Sequence, residues 1–306
     1  MTRTYQVGNA TVIRVPEIGL DGVDAAALYP DLDAAALAEH GPSLTAGSYD
    51  LKTGGLKQSI HTWLVRMPGR VILVDTATGN GKDLPSAPVL DQLNEPYLER
   101  LAAAGVAPEK VDTVLLTHIH ADHVGWNTRR QNGRWVPTFT RARHIFSRIE
   151  QRYNASLSGG EAAPDLPAAA LGTPVRTPTP GVYADSMVPI IEAGLGQPID
   201  IDGSEVLDGI SFHPTPGHSI DHASIRLRSR GEEAWFLGDL MHHPLQVYRP
   251  DLRSCYCEFP DPARRSRLRM LEQTAGSGAL LFTTHFAETA AGRVSRGVGG
   301  FRWHFE

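Results

Sequence analysis

Residues 111–126 read VDTVLLTHIHADHVGW, a short apolar run that ends directly on His118, His120, Asp122 and His123. Six apolar-rich residues bounded by a polar cluster read as a buried strand, so the cluster belongs in the loop that follows it. Side chains at i and i+2 of an extended segment point the same way, so His118 and His120 can grip one ion together. Asp122 and His123 lie past the turn into a following helix and are displaced toward a second ion. Imidazole and carboxylate are natural ligands of zinc and similar borderline divalent ions. A metal cage is the reading this density of ligand types favours over a polar loop that happens to hold histidines.

The remaining pattern repeats this logic. TYQV and ATVIRV, joined across Gly8-Asn9, predict an opening hairpin, and 60–66 with 71–75 predict a second that turns at Pro68-Gly69. Residues 96–104 predict a helix, with Asn94 as cap and Gly105 as stop. Residues 143–147 read as a strand, RIEQRYNASL as a helix, and 158–181, rich in Gly, Ala and Pro, as an inserted lid within 150–198. Strands are predicted again at 210–215, 223–229 and 234–238, then a helix over 262–275 and an apolar run over 279–285. Strand pairs that lead into helices suit two β-sheets packed face to face with helices outside, an α+β arrangement. No second independent core pattern is evident, so residues 1–306 read as a single domain. Three ligand types then follow predicted strands: His218 in TPGHS, Asp239 in FLGDL and His285 in FTTHF.

Composition narrows the function. A chain of 306 residues can bury a sizeable core, and its formal charge of -5 gives no reason to expect nucleic acid or an anionic membrane as partner. The N-terminus shows no export signal, and no segment approaches a membrane span. Cys255 and Cys257 are separated by one residue, too close for an easy intrachain bridge, and read as structural thiols in a reducing cytoplasm.

H-x-H-x-D-H followed by a distant His, an Asp in a G-D step and a last His resembles the metallo-β-lactamase superfamily over about residues 60–290. The resemblance implies a four-layer αββα sandwich and two divalent metal ions, zinc first, with iron or manganese as the other candidates. It assigns His118, His120 and His218 to one ion, Asp122, His123 and His285 to the other, and Asp239 to both. Asp75, in VDTATG, resembles the family's strand-end Asp that supports the ligands. Two such ions would lower the pKa of a shared water until hydroxide exists near neutral pH, and Asp122 would orient it.

Within the superfamily, several branches fit less well. No glutathione-binding pocket of Arg and Lys is visible, which weighs against a glyoxalase II-like thioesterase or a mononuclear-iron sulfur dioxygenase. His120 stands where flavin-linked diiron members carry a carboxylate. The chain resembles the lactonase and methyl-parathion-hydrolase-like branch, with 1–59 as its N-terminal extension and 150–198 as its variable segment. That branch implies a small-molecule substrate, a lactone or neutral ester, with phosphotriester hydrolysis as the alternative, and a homodimer. Trp63, Trp126, Met241, Tyr248 and Phe286 are candidates for an apolar substrate wall. One departure stands out. Lactonases of the superfamily commonly carry a Tyr three residues after the bridging Asp; this chain has His242, with His243 beside it, and His242 is the candidate hydrogen-bond donor to substrate.

Overall fold

A computed structural model describes residues 3–160 and 168–306. The described residues divide into two compact units that interleave along the chain. The first takes Met1–Ile18, Ile60–Pro167 and Thr177–Ile201; the second takes Gly19–Ser59, Ala168–Arg176 and Asp202–Glu306. Strands β2 and β3 each contribute residues to both.

The first sheet uses β1 (Thr4–Val7), β2 (Ala10–Val23), β3 (Leu56–Met67), β4 (Arg70–Val74) and β5 (Thr113–Leu115). A small hairpin of β6 (Thr128–Gln131) and β7 (Arg134–Pro137) stands apart from it, and β8 (Arg143–Ser147) and β9 (Gly196–Ile199) complete the order β1-β2-β3-β4-β5-β8-β9. The two expected hairpins are present: Val7 pairs with Ala10, and Met67 with Arg70. β3 is buried along almost its whole length. From β4 onward the strands run parallel, which requires crossovers and leaves their C-terminal ends on one edge of that sheet. The cluster that opens at His118 follows β5 directly.

The expected helix near 96–104 is Tyr97–Ala103, but its cap position is Pro96, with no side-chain bond. Asn94 is therefore not the cap. The helix Arg148–Leu157 matches its sequence reading and is capped by Ser147, whose Oγ accepts from the amides of Ile149 and Glu150. Of the segment read as a lid, residues 161–167 lie outside the described residues. Beyond them come helical turns at Ala168–Leu171, Tyr183–Met187 and Val188–Glu192, and then β9. Met187 and Ile190 are fully buried, so this part of the segment carries core side chains as well as surface.

The second sheet runs in sequence order: β10 (Glu205–Leu207), β11 (Ile210–Pro214), β12 (Ala223–Ser229), β13 (Glu232–Phe236), β14 (Leu280–Phe282), β15 (Ala291–Gly297) and β16 (Gly300–Phe305). Neighbours are antiparallel except β13 and β14, which the helix Pro260–Thr274 connects in parallel. Alternation in β16 turns Phe301 and Trp303 inward. Among the described residues no helix is long and apolar enough to cross a membrane.

Candidate metal centre

In the first unit the ligand types come from one contiguous turn, supported by one carboxylate. Asp75, just past β4, accepts at Oδ1 from the Thr117 amide (2.8 Å) and at Oδ2 from the Thr117 hydroxyl (2.8 Å). Its Oδ2 also lies 2.9 Å from Nδ1 of His123. Because the Thr117 hydroxyl proton goes to Asp75, the Thr117 oxygen is left to accept from Nδ1 of His118, 3.0 Å away. Both rings thereby carry their proton on Nδ1, which places the lone pair on Nε2, the form in which imidazole binds a metal. The rings of His118 and His120 are 4.5 Å apart and those of His118 and His123 4.1 Å, so the three imidazoles expected to ligate are gathered together. Asp122 sits partly exposed beside them, with Oδ2 3.8 Å from Nε2 of His123.

The second unit gathers ligand types from separate strand ends. His218 follows β11, Asp239 follows β13 and His285 follows β14. Nε2 of His218 is 3.2 Å from Asp239 Oδ2, Nε2 of His242 is 3.3 Å from the same atom, and Nε2 of His285 is 3.0 Å from Oδ1. Each group has its own anchor. The Asp239 amide donates to Nε2 of His222 (2.9 Å). Nδ1 of His285 donates to the Ser59 carbonyl (3.1 Å), and the Glu258 amide donates to the His218 carbonyl (2.9 Å). Gly217 lets this loop approach the helix Pro260–Thr274, since a Cβ there would lie 2.0 Å from the Ala263 nitrogen.

The donor set fits a cation. With its Nδ1 proton committed to Ser59, a neutral His285 turns a lone pair toward a carboxylate oxygen 3.0 Å away, a repulsive contact unless positive charge lies between them. Donors about 2.0–2.1 Å from a tetrahedral zinc ion are themselves roughly 3.3 Å apart. The spacings around Asp239 are of that size. Burial pushes the pKa of His242 down, with Asp239 opposing, so His242 is neutral in this setting.

A family model described as the metallo-beta-lactamase superfamily matches residues 57–285, a span that ends on His285. The chain belongs to the metallo-beta-lactamase superfamily. Solved structures that it resembles cover its whole length or nearly so. Hydrolase AbOPH of the beta lactamase superfamily aligns at 24% identity and TM-score 0.77, covering 100% of this chain and 98% of that one. The dizinc quorum-quenching lactonase AidC aligns at 20% identity and TM-score 0.75, covering 100% and 97%. A probable metal-dependent hydrolase from Staphylococcus aureus aligns at 17% identity and TM-score 0.73, covering 99% of each chain. These likenesses show the mixed α+β sandwich fold of the superfamily. Among curated proteins, a ribonuclease Z of Mycobacterium avium (strain 104) is 40% identical over 77 residues, 25% of this chain and 21% of that protein. The chain thus spans about a fifth of the length of that relative. Among the described residues its His/Asp clusters fit divalent metals.

In this metallo-beta-lactamase superfamily chain, the side chains expected to wall a substrate have partners of their own. Trp63 is buried edge-on against Tyr5 and His61, and Trp126 stacks on Tyr97 at 5.0 Å. Met241 and Phe286 are fully buried, with Phe286 edge-on to Trp303. Tyr248, only partly buried, stacks on His40 at 5.7 Å. All five expected wall residues thus have a ring partner in their own unit or are fully buried, and Tyr248 is the most exposed of them. His243 is held by its ring, with Nε2 2.8 Å from the Ser48 carbonyl and Nδ1 accepting from the Leu245 amide. Sequence reasoning missed three groups. His222 fixes Asp239, and its spacing of four from His218 was the available signal. Arg267, buried, donates to the carbonyls of Leu240, Pro250 and Leu252 and so holds the stretch after Asp239. Glu17 is the third.

Proposed function

We propose that the protein is a dinuclear metal-dependent hydrolase that opens a small lactone or cleaves a neutral carboxylic ester. The observation that carries this reading is the convergence of the His218, His242 and His285 Nε2 atoms on the Asp239 carboxylate within 3.0–3.3 Å. His118, His120 and His218 are assigned to one ion, Asp122, His123 and His285 to the other, and Asp239 to both. When bound, divalent ions of this kind lower the pKa of water and polarise the bond under attack.

The chain's own residues supply the rest. Asp75 and Thr117 hold the His118 and His123 rings in the ligating tautomer. Asp122 accepts a proton or orients a nucleophile from its partly exposed place. His242, neutral and buried, donates a hydrogen bond to the substrate carbonyl or to the leaving oxygen. The lactone assignment is supported by the whole-length likeness to AidC. The reading further takes residues 1–306 as one domain, since β2 and β3 belong to both units. It also takes 158–181 as a lid, the cytoplasm as the compartment on account of the free thiols Cys255 and Cys257, and a homodimer as the assembly.

A panel of lactones, aryl esters, phosphotriesters and S-lactoylglutathione, assayed on zinc-loaded protein, tests it. Lactones and aryl esters should turn over fastest. Efficient phosphotriester cleavage without lactone opening would replace the substrate class while keeping the chemistry, and oxygen uptake with iron would replace the reaction itself.

A further inference from the structure

Glu17 belongs to β2, far in sequence from every ligand, and its side chain is 1% exposed. It accepts at Oε2 from the Thr78 amide (2.9 Å) and at Oε1 from the Gly79 amide (2.9 Å) and the Trp126 indole nitrogen (2.6 Å). These donors come from two loops. One, 75–79, starts at Asp75; the other, 118–126, carries His118, His120, Asp122 and His123. The loops are also joined directly, for Thr76 donates to the His123 carbonyl (2.7 Å), Gly125 to that of Ala77 (2.8 Å) and Trp126 to that of Thr76 (2.9 Å). They approach so closely that a Cβ at Gly125 would lie 1.6 Å from the Thr78 oxygen.

The first loop is strained. Asp75 and Ala77 hold φ values of 54° and 48°, a region in which residues with a Cβ are disfavoured, and such conformations persist only where surrounding bonds over-determine them. Successive amides of such a turn form a concavity that suits an anion. Here the anion is Glu17, which takes the amides of Thr78 and Gly79 and the Trp126 indole together. Arg100 in turn grips the Glu17 backbone carbonyl and pairs with Glu95 at 2.8 Å, which fixes where the strand sits.

We propose that Glu17 is a positioning residue for the metal ligands of the first unit: its carboxylate locks the loop that holds Asp75 onto the turn that holds His118–His123. The proposal rests on reading that turn as a metal site. Its expected signature is metal affinity, since a ligand set held in place loses less order on binding.

The test compares Glu17→Gln with Val15→Ala, a core truncation two residues away on the same strand and 1% exposed in the native chain. Both are measured as folded protein, by zinc competition with a chelator and by melting of the metal-free form. Glu17→Gln removes the charge and turns an amide donor toward at least one of the three donors, and it should weaken zinc binding by about ten- to a hundredfold, in the range of outer-shell substitutions. Val15→Ala should lower the melting temperature with less than about a threefold change in affinity. Equal affinities for the two variants would reduce Glu17 to a structural role and overturn the proposal. Should Glu17→Gln not fold, Trp126→Phe decides: it removes one donor, keeps the stack on Tyr97, and should weaken zinc by about threefold. Unchanged affinity there would also overturn it. Failure of the wild-type chain to bind zinc would instead defeat the metal reading itself.

Discussion

The proposed ligands of the two units are organised in opposite ways. In the first unit the proposed ligands lie within His118–His123, and two of them share one support, because Asp75 sets His123 directly and His118 through Thr117. In the second unit, His218, Asp239 and His285 come from three strand ends and rest on separate supports, the Glu258 amide, His222 and the Ser59 carbonyl. A contiguous cluster concentrates its dependence on one side chain; a dispersed one spreads it. Loss of a support should therefore be felt by several ligands in the first unit and by one in the second.

The largest effect tests where the dispersed set does have a common element. Asp239→Ala removes the carboxylate that faces three imidazoles, and elemental analysis should show the loss of most of the two ions per chain expected of the native protein, with activity down by about a thousandfold or more. Full occupancy in that variant would mean that the carboxylate does not bridge.

His242→Ala should come next. Metal content should be retained while kcat falls by on the order of ten- to a thousandfold, about 1.4–4 kcal/mol of transition-state stabilisation, most severely for poor leaving groups. His243→Ala, whose ring is spent on Ser48 and Leu245, should alter stability more than kcat. Unchanged kcat in metal-replete His242→Ala would take that residue out of the mechanism.

The supports themselves sharpen the comparison. Asp75→Asn keeps the shape but weakens the acceptor for Thr117 and His123, and zinc affinity should drop by about ten- to a hundredfold. His222→Gln disturbs the Asp239 amide alone and should cost about tenfold or less. If the two variants bind zinc equally poorly, the contrast between shared and separate supports is wrong.

The smallest effect concerns acid stability, to which His144 in the first unit and His243 in the second contribute as neutral rings. Burial pushes both His144, on β8, and His243 down to about 4. The unfolded chain takes up these protons near pH 6.5, whereas the folded chain resists them to about pH 4. Their contribution is therefore complete above about pH 6.5 and is lost as pH falls toward 4. Melting curves at pH 7, 5.5 and 4.5 should show a shallower decline for His144→Phe than for the native chain. Parallel declines would show that this ring stays neutral in both states or titrates in both.

Much of the molecule was legible from residues alone, for identifiable reasons. The hairpins at 4–23 and 56–74 follow from apolar alternation across short turns, and His118–His123 from ligand types packed into a few positions after an apolar run. The β6–β7 hairpin also carries a readable signal, since Asn132-Gly133 is the pair that tolerates the positive φ of both turn residues. The C-terminal hairpin β15–β16 is Gly-, Arg- and Ser-rich at its start and shows little periodicity until Phe301 and Trp303. The Gly-, Ala- and Pro-rich run at 158–181 concealed that the rest of the segment, 182–199, holds buried Met187 and Ile190 and a strand at the sheet edge.

Sequence by itself determined the chemistry: which residues can ligate, that they follow strands, and that His242 stands where a tyrosine was expected. Tertiary structure decided which groups hold the ligands in place. Glu17, His222 and Arg267 act through backbone amides and carbonyls, groups that every residue carries and no sequence pattern distinguishes. Only the folded chain brings one carboxylate to the amides of Thr78 and Gly79, or one imidazole to the amide of Asp239, because burial leaves those donors no water to bond and each must find its acceptor within the protein.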